Sequence, residues 1–286
     1  MRIQPELQSR LNALFKPLER RAAGGAIPPI GFLADQLSKC IDRANKTDLC
    51  VPLSREVAMA FVTASIDAWL RAVHSFLVSC AITKASPIWA SVVGYYSSHY
   101  TIRSLAHLLG FFHLYRKKVL ARLEVTKSGY ICQIERKHAK DREHSSYWKL
   151  VKSDIHFVSD PLFTANEAAA FETDVGHRDR ATYSDHVSNL PTFKVVEVGE
   201  LRNRIKLIST IAFDTPSLPR PSRFPDVESV QLVAYHRIVR FRQLLDQGVG
   251  TRNRFWSVHR TPGWSSDFIN FQLTEQGGLA GTVSGL

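Results

Sequence analysis

Ser86-Pro87-Ile88-Trp89-Ala90 runs into Ser91-Val92-Val93-Gly94-Tyr95-Tyr96-Ser97-Ser98-His99-Tyr100-Thr101-Ile102-Arg103-Ser104-Leu105-Ala106-His107, and this stretch decides the fold. Ser86 stands where a helix N-cap belongs. Pro87 suits the first helical position, where the missing N–H has no intrahelical partner anyway. The run predicts one helix reaching about Gly110 or beyond. Gly94, Ser97, Ser98, Ser104 and Ala106 are small, so another helix can approach closely. Upstream, Pro52-Leu53-Ser54 opens a second long helix with Ser54 as its cap. Phe61, Ile66, Trp69, Leu70, Val73, Phe76 and Leu77 supply its apolar face. Two long helices joined by a short turn predict an antiparallel pair, the seed of a bundle.

Working outward, Leu7, Leu11, Leu14, Phe15 and Leu18 carry helical spacing, closed by Gly24-Gly25 and Pro28-Pro29. A short helix is expected from Gly31 to Asn45. Downstream, Val119 to Thr126 and Tyr130 to Glu135 alternate apolar with polar residues. Lys127-Ser128-Gly129 between them is hairpin chemistry. Arg116 to Lys149 holds ten Lys and Arg against four Asp and Glu, which gives this β element a basic edge. A short helix near Asn166 to Thr173 precedes a polar loop. Glu197 to Ile208 reads as a basic helix, and a Pro-rich loop follows. Asp226 caps a last helix from Val227 to about Gln247, and Phe268 to Leu273 looks like a strand. The expected architecture is mainly α, in the α+β class: a bundle built from residues 51–115 and 196–250. A helical extension (1–50) precedes it, a β-rich basic element (116–195) interrupts it, and a tail (251–286) follows.

Composition narrows the chemistry. The 286 residues include 37 Lys and Arg against 26 Asp and Glu, a formal net charge of +11. Such an excess suits a polyanion, because neutralised phosphates release counterions. The four cysteines lie far apart with no CxxC pair, so free thiols in a reducing, cytoplasmic setting are expected, with no metal site. No apolar run approaches the length of a membrane span, and the first residues lack a signal-peptide core. No phosphate-cradling glycine loop, nucleophile elbow or zinc-protease motif occurs, and no cofactor is expected.

Three constellations can carry function. Tyr96, His99, Arg103 and His107 fall on one stripe of one helix, setting a cation beside two titratable rings. Phosphodiester chemistry needs such a set: Arg for the developing negative charge and His for proton transfer. The structural alternative is a polar stripe that is solvated or hydrogen-bonded inside. Arg252, Asn253, Arg254 and His259 form a second set, whose alternative is a basic loop packed on the core through Trp256. Arg202, Arg204 and Lys206, with Arg237, Arg240 and Arg242, form a third. Arginine forks bind two phosphate oxygens at once, and Tyr235, Phe241 and Trp256 are candidates for base stacking. Its alternative is a solvated helix face.

The stretch Gly94-Tyr95-Tyr96-Ser97-Ser98-His99-Tyr100 with its continuation to Gly110 resembles the HEPN superfamily, in which a Tyr-Tyr-Ser run leads into a small-residue helix. Glu200 to Lys206 is similar to the Arg-rich later helix, and Val230 to Leu245 to the closing one. The resemblance covers roughly residues 54–115 and 197–247. It implies a helical bundle and, in ribonuclease members, an Arg followed after four to six residues by His. Arg254 to His259 fits that count, as does Arg252 with Asn253 beside it; Arg103 to His107 is one residue short. Such members cut RNA without metal, usually as dimers, in bacterial host defence or toxin–antitoxin systems. Other members are scaffolds. The expectation is therefore a nucleic-acid-engaging protein, a homodimer or a subunit of a larger complex. It is either a metal-independent endoribonuclease or a non-catalytic binding subunit; a small-ligand bundle around Tyr95, Tyr96 and His99 is the third reading.

Overall fold

A computed structural model describes residue 5 and residues 8–9, 11–14, 32–44, 50–114, 117–135, 143–153, 198–214 and 227–249. The described elements are α1 (Phe32–Arg43), β1 (Cys50–Leu53), α2 (Arg55–Ala81), α3 (Pro87–Leu108), β2 (Phe111–Leu114), β3 (Val119–Thr126), β4 (Gly129–Glu135), α4 (Glu143–Ser153), α5 (Val198–Asp214) and α6 (Val227–Val249). The protein is mainly helical with a four-stranded antiparallel sheet, an α+β fold. The chain divides into two compact units: Met1–Trp69 with Ile102–Phe163 and Leu244–His259, and Leu70–Thr101 with Thr164–Gln243 and Arg260–Leu286.

Both expected caps form. The Val57 N–H donates to Ser54 Oγ at 3.3 Å, and the Trp89 N–H to Ser86 Oγ at 3.5 Å. In the first unit Ser65 Oγ donates to the Ser104 carbonyl at 2.7 Å, while Ser104 Oγ donates to the Ser65 carbonyl at 2.5 Å. In the second unit Ser97 Oγ reaches the Ala72 carbonyl and Ser79 Oγ the Ala90 carbonyl, each at 2.7 Å. The partners stand seven residues apart along each helix, so short hydroxyls, rather than large side chains, meet where α2 and α3 face one another. A Cβ on Gly94 would lie 2.8 Å from Val230 Cγ1 and 3.2 Å from Ser79 Oγ, so α6 approaches where only glycine fits.

The sheet belongs to the first unit, in the order β1-β4-β3-β2. The β3–β4 hairpin turns at Lys127-Ser128 as expected, with Gly129 at φ 144°. One face is apolar throughout its centre: Val51, Leu53, Phe112, Leu114, Val119, Ala121, Leu123, Cys132 and Ile134 are all buried. The other face carries half-buried Arg122, Glu124 and Gln133, with Phe111, His113 and Leu120 buried toward its β2 end.

Three expectations change. Pro52 lies in strand β1 rather than opening α2. It is tolerated there because β1 is an edge and proline needs no ladder N–H on the outer side. Helix α3 stops at Leu108, because Gly110 turns with φ 89° and the chain enters β2 directly. Residues 143–153 form helix α4, not part of a β-rich segment, and bury Tyr147, Trp148 and Val151 at i, i+1 and i+4. The readings at residues 166–173 and 268–273 lie outside the described residues.

Candidate functional site

Arg103 and His107 stand one turn apart at the end of α3, and the structure brings them together. Arg103 Nε donates to His107 Nε2 at 3.2 Å. A guanidinium only donates, so Nε2 is the accepting nitrogen and the ring proton sits on Nδ1. That proton goes to the Phe111 carbonyl at 2.8 Å. The ring stacks on Phe112, with centroids 4.9 Å apart, and meets the Tyr147 ring edge at 5.4 Å. Arg103 Cζ lies 5.5 Å from the centre of the Tyr147 ring, and Arg103 itself is half-buried.

Sheet geometry explains this arrangement. The Leu123 N–H bonds the Gly110 carbonyl, so position 110 faces the ladder. By alternation Phe111 and His113 then turn their backbone groups away from β3. These are open edge groups of β2, and side chains take two of them. His107 donates to the Phe111 carbonyl, and the His113 N–H donates to Tyr147 Oη at 3.3 Å. His107 and Tyr147 thus cover one acceptor and one donor of the β2 edge.

The same contacts fix the electrostatics. Burial, then the Arg103 charge, pushes the His107 pKa down to about 3, against the weaker opposite pull of the Phe111 carbonyl. A general base near neutral pH needs an accessible lone pair and a matching pKa. His107 has neither in this state: Nε2 is occupied and the ring is 2% exposed. In this state the ring holds Arg103 Nε and covers the Phe111 carbonyl.

His99, in the second unit, is buried and stacked on Tyr95 at 6.3 Å with a 13° interplanar angle; Tyr100 lies 5.6 Å away. Tyr95, Tyr96, His99 and Tyr100 thus pack on one another. Two residues of the expected phosphate track are withdrawn from the surface. Arg237 and Arg242 are 1% and 4% exposed, turned into the core with Val230, Ile238 and Phe241. Arg204 Nε donates to Gln231 Oε1 at 2.8 Å, and its Nη1 lies 3.3 Å from Glu228 Oε2. Gln231 Nε2 in turn donates to Ser79 Oγ and Thr83 Oγ1 at 3.0 and 2.7 Å. Arg204 therefore anchors a part-buried polar relay. Lys206 is exposed and Arg240 half-buried; Arg202 lies on α5, its side chain outside the described residues. Arg252, Asn253, Arg254 and His259 also lie outside the described residues.

Sequence reasoning missed Tyr147 and Gln231, each of which acts only through a distant partner. Among the described residues no group of three or more His, Cys, Asp or Glu is placed to hold a metal ion, and no helix is long and apolar enough to cross a membrane. All four cysteines are free. The chain matches no protein-family model, no curated protein and no solved structure.

Proposed function

We propose that the protein engages nucleic acid, RNA in the first instance, as a HEPN-like binding subunit in which Arg103 grips phosphate. The observation that carries this reading is the immobilised, half-buried guanidinium. His107 holds its Nε and Tyr147 lies beneath its plane. A fork fixed in this way loses little freedom on binding two phosphate oxygens. The net charge of +11 supports a polyanion partner, and the helix bearing Tyr95-Tyr96-Ser97 supplies the HEPN likeness. With it come the proposals of a homodimer or larger complex and of a host-defence setting. The buried, neutral His107 favours gripping over cutting at this pair. Metal-independent cleavage, if the protein performs it, rests on Arg254 and His259.

Purified protein incubated with end-labelled RNA and a chelator tests the proposal. The expected result is salt-sensitive binding that Arg103→Ala weakens, with the RNA intact. Cleavage that survives the chelator and disappears in His259→Ala would replace the binding reading with the catalytic one. Cleavage lost in a folded His107→Gln variant would reinstate His107 as a catalyst.

A further inference from the structure

The serine contacts of α2 and α3 define more than packing. In the second unit Ala72 and Ser79 face Ser97 and Ala90 across an antiparallel seam, with Gly94 and Thr101 buried along the same line of α3. In an antiparallel helix pair, residues one place before the seam positions of both helices lie on one common side. On α3 these are Trp89, Val93, Tyr96 and Tyr100, at alternating spacings of four and three. On α2 they are Arg71 and half-buried Val78, with His74 between them on that side.

Burial agrees with this construction. Trp89 is 53% exposed, Arg71 and His74 are exposed, and Val93, Tyr96 and Tyr100 are half-buried. The opposite flank is closed, with Val73, Phe76, Tyr95 and Ser98 all buried. The open side therefore carries large aromatic rings beside a guanidinium and an imidazole. Tyr96 and Tyr100 hold their rings 6.2 Å apart, and Trp89 stands two helical turns, about 10 Å, further along. An aliphatic dimer seam would fill such positions with Leu and Ile. Rings with polar tips beside a cation suit planar bases strung on a phosphate backbone. The one acid nearby on α2 is Asp67, one turn before Arg71, and the chain as a whole is strongly basic.

We propose that this face of α2 and α3 is a stacking platform for single-stranded nucleic acid: bases lie on Trp89, Tyr96 and Tyr100, and Arg71 takes an adjoining phosphate. The inference rests on the nucleic-acid reading above and adds a chemical preference, unpaired bases over duplex backbone. Nothing here depends on Arg103, so the two can fail separately.

The test compares a fluorescent single-stranded oligouridylate with an abasic sugar–phosphate oligomer of equal length, using the full chain. The wild type should bind the base-bearing strand more tightly. Trp89→Ala or Tyr100→Ala should lower that affinity roughly five- to a hundredfold, the range for losing one stacked base, and leave abasic binding unchanged. Tyr100→Phe should keep it, and Arg71→Ala should weaken both strands. Equal affinity for the two oligomers, unmoved by these variants, overturns the platform and leaves phosphate gripping intact. Binding of neither oligomer removes the nucleic-acid reading and the platform together. A dimer in sedimentation that Trp89→Ala dissociates, with no base-dependent binding, would assign the face to a second copy of the chain instead.

Discussion

Replacing His107 separates a clamp from a catalyst. In His107→Ala the Phe111 carbonyl loses its 2.8 Å donor and Arg103 Nε its 3.2 Å acceptor. The buried Phe111 carbonyl left unsatisfied costs about 1–3 kcal/mol, the half-buried Arg103 Nε less, and the vacated ring adds a cavity beside Phe112 and Tyr147. The sum is about 3–5 kcal/mol, or roughly 6–20 °C in melting temperature for a chain of this size. Acid sharpens the comparison. The His107 pKa in the fold, about 3, lies below its ordinary value of 6.5. The unfolded chain therefore binds the proton first, and the stability His107 contributes is present above pH 6.5. It is lost as pH falls through that value toward 3, by up to about 1.4 kcal/mol per pH unit. Urea unfolding at several pH values measures both effects. His107→Asn, which keeps a donor near the Phe111 carbonyl, should fall between wild type and alanine and should flatten the acid slope. An alanine variant within about 1 kcal/mol of wild type, with the slope intact, would refute the clamp.

Other residues give independent checks. Gly94→Ala should destabilise by about 1–3 kcal/mol through its clash with Val230, and adding Val230→Ala should recover part of the loss in a double-mutant cycle on thermal melts. Arg237→Ala, at a site 1% exposed, should lower the melting temperature, whereas exposed Lys206→Ala should stay within about 0.5 kcal/mol. Burial pushes the Cys80 and Cys132 thiols up to about 12, so a thiol reagent followed by peptide mapping should label exposed Cys50 in the folded protein and those two only on unfolding.

The elements set by local rules were legible. Ser54, Ser86-Pro87 and the Lys127-Ser128-Gly129 turn act within a few residues, and each forms as its chemistry dictates. Elements that exist through pairing were not. Cys50–Leu53 is too short to declare itself and becomes a strand only against β4. Phe111–Leu114 continues an apolar run, so the end of α3 shows only in the Gly110 turn. Arg237 was misplaced by residue type, although its spacing from Val230, Ala234 and Phe241 puts it on the core stripe of α6. The Arg103–His107 pair follows from the four-residue spacing, but the contacts around it do not. The carbonyl that orients the imidazole and the phenol beneath the guanidinium come from β2 and α4, which no spacing on α3 reveals.

The proposal most in need of a test is that a fixed guanidinium on a basic chain holds RNA phosphate. RNA affinity measured across a salt series tests this most directly. A logarithmic affinity that falls with rising salt, with a slope shallower by about one unit in Arg103→Ala, is the predicted result. Absence of binding at the lowest salt, or an Arg103→Ala slope identical to that of the wild type, would contradict it.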